Sequence, residues 1–84
     1  MSEEYIVASG NTEVPAQLAL RDLGFDLIYQ AEADACWVAL RPGLRLHAPS
    51  CLELLGLHCM RERRGPEWKA SDAEISQYLA AVGG

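Results

Sequence analysis

Eighty-four residues, half of them apolar and 23% charged, with 7 glycines and 4 prolines, have the length and composition of one globular domain and exclude a disordered or fibrous chain. No basic run precedes an apolar stretch, and no apolar segment approaches the ~18 residues of a membrane span, so a soluble cytoplasmic protein without membrane contact is expected. The formal charge of −5 sits in residues 1–40, where seven acids face the single base Arg21, whereas residues 41–84 hold six bases and five acids. Net acidity disfavours nucleic acid as a partner, and the asymmetry suits either neutralisation within the fold or head-to-tail contact between chains.

Tyr5-Ile6-Val7-Ala8 is an aromatic and β-branched run closed by Ser9-Gly10-Asn11, the pattern of a strand and turn. Asn11 or Thr12 then offers an N-cap, Pro15 falls in the first turn, and Gly24 stands where a left-handed C-cap belongs, which predicts an amphipathic helix over 13–23. Phe25 to Glu32 and Cys36 to Arg41 alternate as two strands. A turn at Ala33-Asp34 sets Tyr29 opposite Val38, Leu27 opposite Leu40 and Ala31 opposite Cys36 on one face. Gln30 then meets Trp37, Ile28 meets Ala39 and Asp26 meets Arg41 on the other.

Arg41-Pro42-Gly43 reads as a turn, and Leu44-Arg45-Leu46-His47 as a short edge strand or extended connector. Ser50-Cys51-Leu52-Glu53 and Ser71-Asp72-Ala73-Glu74 both match the capping box. They predict helices over about 51–64, stopped by Gly65-Pro66, and from 72 to about Val82. Ile75, Tyr78, Leu79 and Val82 form one stripe of the last helix. Trp68, just after Gly65-Pro66, is read as a staple fixing the angle between these helices. The expected architecture is a single α+β domain over 1–84. It is a small two-layer β-α-β-β-α-α unit with an antiparallel-containing sheet of three or four strands and helices on one face.

The chemistry-bearing residues are few. Cys36, Cys51 and Cys59, an odd number without an export signal, are read as reduced thiols, with Cys51 and Cys59 in the core and both histidines facing solvent. His47, Cys51, His58 and Cys59 lack the spacing that clips a metal between adjacent helical turns, and the dispersed glycines form no phosphate loop. No cofactor and no metal are therefore expected. Cys51 at a helix N-terminus, with His47 near it, is the one candidate nucleophile. The Arg61-Glu62-Arg63-Arg64 cluster is the one phosphate-binding candidate.

Surplus apolar surface is the more informative feature. In helix 51–64, Leu52, Leu55 and Cys59 make one stripe while Leu54 and Leu57 point to the other side, and Ile28, Trp37 and Ala39 share the sheet face that a one-sided helical layer leaves bare. The leading reading is a small intracellular interaction domain, either a homodimer or an adaptor that binds another protein. Its candidate interface is Ile28, Trp37, Ala39, Leu54, Leu57 and Arg61. A small Cys/His-centred enzyme or metal module and a weak nucleic-acid binder through Arg61–Arg64 are the alternatives.

Overall fold

The tightest local constraint is Pro42-Gly43, where a proline that presets φ precedes a glycine at φ +78°, the arrangement of a turn that only glycine completes without strain. It closes a hairpin in which Arg41 pairs with Leu44. In the computed structural model, which describes residues 3–8, 11–32 and 35–83, the elements run α1 (Glu13–Asp22), β1 (Asp26–Gln30), β2 (Cys36–Arg41), β3 (Leu44–Ala48), α2 (Cys51–Arg64) and α3 (Asp72–Ala81). The fold is α+β, with one antiparallel three-stranded sheet in the order β1-β2-β3.

The element order is thus α-β-β-β-α-α rather than β-α-β-β-α-α. Residues 3–8 form no strand, and Tyr5 and Ile6 are 82% and 81% exposed. β-branched and aromatic residues favour strands only where a neighbouring strand and a packed face receive them. The expected turn at Ser9-Gly10 and the hairpin turn at Ala33-Asp34 lie outside the described residues.

The β1–β2 register is one residue from the expected one. Ile28 lies opposite Val38, Leu27 opposite Ala39, Tyr29 opposite Trp37 and Asp26 opposite Leu40. A one-residue slip exchanges the faces. Trp37 and Ala39 therefore face the helices together with Leu27, Leu46 and Ala48, while Ile28 and Val38 lie on the other face. The core joins Ala16 and Leu20 of α1, Phe25, Ala39, Leu46, Ala48, and Cys51 and Leu54 of α2.

α1 ends as expected, at Leu23 and a left-handed Gly24 with φ +91°, which lets the Phe25 N–H turn back to the Leu20 carbonyl at 3.1 Å. α2 begins differently. Ser50 accepts from the Glu53 N–H at 3.2 Å, but the Glu53 carboxylate takes the Ser50 hydroxyl at 2.9 Å instead of completing the box. The remaining orphan donors are met from 38 and 39 residues away: Glu13 of α1 accepts from the Cys51 N–H at 2.7 Å and from the Leu52 N–H at 3.3 Å. The orphan N–H groups of Cys51, Leu52 and Glu53 are thereby satisfied, and the first intrahelical bond runs from the Leu54 N–H to the Ser50 carbonyl at 3.1 Å. α3 carries the full reciprocal box at Ser71 and Glu74.

Candidate functional site

The one-residue slip redistributes the six candidate interface residues. Ala39 and Leu54 are fully buried at 0% exposure, so neither can meet a partner. Trp37 is half-buried against the core, its ring 5.1 Å from that of Tyr29. Leu57 is also half-buried and packs on the core. Ile28 remains exposed on the open sheet face, and Arg61 is half-exposed. The six do not form one surface.

Helix α2 explains half of this. Its inward arc runs through Leu57, Leu54, His58, Cys51 and Leu55, about 160° wide at 100° per residue. Leu52 and Cys59, expected inside, are exposed. His58, expected in solvent, is buried at 8% exposure, with its ring edge-on to Phe25 at 5.3 Å and 82°. His58 Nδ1 has no hydrogen-bond partner and lies 3.9 Å from Glu62 Oε1.

Arg41 completes this cluster from the end of β2. Instead of pairing with Asp26 across the hairpin, its guanidinium stacks 4.6 Å above the Phe25 ring, donates to the Leu23 carbonyl at 3.0 Å and reaches Glu62 at 3.4 Å. The cluster ties the end of α1 to the last turns of α2. Its groups are used by one another, which makes it structural.

Cys51 is a poor nucleophile in this setting. A helix N-terminus favours a thiolate, but burial, reinforced by the hydrogen bond and negative charge of Glu13, pushes the thiol up from 9.0 to about 11. His47 is exposed on β3, whose alternation turns it away from the helical layer that contains Cys51. Among the described residues no group of three or more His, Cys, Asp or Glu side chains is placed to hold a metal ion. None of their helices is long and apolar enough to cross a membrane.

The arginine cluster is divided. Arg64 donates from Nε to the Trp68 carbonyl at 2.8 Å and from Nη2 to both oxygens of Glu74 at 3.1 and 3.3 Å. It, rather than the Trp68 ring, clamps the start of α3 to the end of α2. The indole turns instead to β3. With Leu44, Arg45, Leu46, His47, Leu57 and Arg61 it lines a groove of about 300 Å³. This groove escaped the sequence reading, although the alternation Leu44-Arg45-Leu46-His47 on an edge strand was its signal. A second groove, of about 330 Å³, lies across α2 between Ile6, Pro15, Ala16, Leu52 and Leu55.

Surface accounting locates what is left uncovered. The chain exposes 6698 Å², against roughly 4,900 Å² expected from the area scaling of monomers of this mass. The excess is about twice the ~800 Å² that each partner contributes to a standard interface. Two stretches contribute to it: α3, which has no buried residue and leaves Ile75, Tyr78, Leu79 and Val82 46–66% exposed along one stripe, and residues 3–8, where Tyr5 and Ile6 are still more exposed. The Cα radius of gyration of 15.4 Å likewise exceeds the roughly 12 Å of a compact chain of this length.

Protein-family models, curated proteins and solved structures contain no match to this chain. Function is therefore argued from the surfaces alone.

Proposed function

We propose that the domain is a protein-interaction module that self-associates through the apolar stripe of α3. The observation that carries this reading is a helix with no buried residue whose apolar side chains line up along one exposed stripe. Ile75, Tyr78, Leu79 and Val82 recur at i, i+3, i+4 and i+7, the spacing with which two helices bury a common seam. Monomeric proteins seldom leave an apolar stripe of this kind in water. The sheet-face interface expected from sequence is replaced by this helical one, with Ile28 lying apart from it.

Sedimentation velocity across a concentration series tests the reading. The wild-type chain is expected to shift from monomer toward dimer as concentration rises, and Ile75→Ser/Leu79→Ser to need a markedly higher concentration for any such shift. Because α3 contributes nothing to the core, the variant should keep the thermal transition of the remaining elements. A wild-type chain that stays monomeric at millimolar concentration refutes the proposal.

A further inference from the structure

We infer that the groove beside β3 receives residues 3–8 of a second copy of this chain as a fourth strand. The inference extends the self-association reading but uses a different surface from α3.

β3 is an edge. It pairs with β2 on one side, and among the described residues no strand pairs with the other, so a row of backbone donors and acceptors is presented there. An extended segment can add to such an edge through main-chain hydrogen bonds, with side-chain pockets setting the choice of segment. The groove wall is built from consecutive residues of that strand, Leu44 to His47, with Leu57, Arg61 and Trp68 opposite. Leu44, Leu46, Leu57 and the indole make an apolar floor. Arg45 and Arg61 add positive charge to a chain whose formal charge is −5. Among the described residues neither Arg45 nor Arg61 has an ion-pair partner.

The matching segment is within the sequence. Glu3-Glu4-Tyr5-Ile6-Val7-Ala8 places two acids before a β-prone apolar run. It has no regular structure, and Tyr5 and Ile6 are the most exposed large apolar residues described. Six residues in extended form span roughly 20 Å, slightly more than the ~16 Å of a five-residue strand such as β3. Alternation supplies both requirements at once. Tyr5 and Val7 on one face meet the leucines and the indole, with Glu3 toward Arg61, while Glu4 on the other face lies beside Arg45 or His47.

Two alternatives are weaker on the same grounds. The other sheet edge, β1, carries Asp26 and no base, and repels a segment that begins with two glutamates. Within one chain, Ile6 lines the second groove together with Leu52 and Leu55, about 120–180° around α2 from Leu57 and Arg61, so the segment rests on the wrong side of the helix to fill its own groove. Leaving that position uncovers little, since Ile6 is already 81% exposed.

The test uses a synthetic peptide of residues 1–10 titrated into the isotope-labelled full-length Ile75→Ser/Leu79→Ser chain, which reads the groove without the α3 contact. The expected result is amide shift changes and slowed hydrogen exchange centred on Leu44–Ala48, with a change in Trp68 fluorescence. Affinity should drop at least tenfold in Arg45→Glu/Arg61→Glu. It should recover when the peptide carries Glu3→Lys and Glu4→Lys against that charge-reversed chain. Shifts confined to residues away from β3, or peptide binding unchanged by the charge reversal, overturn the inference. Loss of wild-type dimerisation on α3 substitution bears only on the reading of the preceding section.

Discussion

The long-range cap of α2 is the sharpest point at which the fold can be perturbed by a few atoms. Glu13→Gln keeps the side-chain length and one carbonyl acceptor but removes the charge and the second acceptor from the Cys51 and Leu52 amides. A charge-assisted hydrogen bond is worth ~1.5–3 kcal/mol net and a neutral one ~0.5–1.5, while an anion at a helix N-terminus adds ~0.3–1 kcal/mol through the dipole. The 2.7 Å contact to Cys51 is the strong one, and the 3.3 Å contact to Leu52 adds little. The loss is therefore about 1–2 kcal/mol, which in a domain of this size lowers the thermal midpoint by roughly 5–10 °C. pH supplies a second signature. The Cys51 backbone hydrogen bond, helped by that of Leu52, holds the Glu13 carboxyl below its ordinary value of 4.5. The wild-type advantage is then complete above that value and disappears as pH falls through the lowered one, where Glu13 protonates in the folded state. Thermal melts followed by circular dichroism at pH 7 and at descending pH measure both. A midpoint for Glu13→Gln within about 2 °C of wild type at pH 7 refutes the capping argument, because one of the named bonds would then carry none of the energy assigned to it.

Cys51 sets the opposite pH limb. A thiol raised from 9.0 to about 11 in the folded state contributes stability that is full below pH 9 and is lost as pH rises toward 11, on the order of 2–3 kcal/mol in all. At pH 8 iodoacetamide should modify exposed Cys59 and spare Cys51, and equal alkylation rates refute that account. His58→Phe removes the unpartnered Nδ1 and keeps an aromatic edge against Phe25, so the midpoint should hold or rise by the equivalent of up to ~1 kcal/mol. A fall of similar size in thermal melts shows that the imidazole makes a needed bond.

The helices and the α+β class were legible because their signals are local. Gly24, Ser71 with Glu74, and Gly65-Pro66 mark ends through backbone geometry that no distant contact overrides. The β1–β2 register was not legible from those strands, since β2 reads Cys-Trp-Val-Ala-Leu-Arg and is apolar on both faces. Either register buries an apolar set. The deciding information lies in β3, whose Arg45 and His47 must face water, and in the two-residue turn at Pro42-Gly43 that carries this polarity across to Ala39 through its pairing with Leu46. The α2 face failed for a related reason. His58 was assigned outward by residue type, yet the leucines on both sides of it define the inward arc. A buried aromatic ring with one dry nitrogen is compatible with the core when Phe25 and Glu62 stand beside it.

α3 shows how the unassigned surface and the fold are connected. Its 10 residues fall below the ~12–15 at which isolated helices become even marginally stable in water. Ser71, Glu74 and Arg64 secure its first turn, and a cap of this kind is worth only about 1 kcal/mol. Beyond that turn the helix rests on no packed residue of its own chain. Under the proposed self-association, burial of Ile75, Tyr78, Leu79 and Val82 would add roughly 1.5–3 kcal/mol each when complete. The proposed self-association therefore predicts that the helicity of 72–81 rises with protein concentration, while α1, the sheet and α2 hold through their shared core and the Glu13 cap.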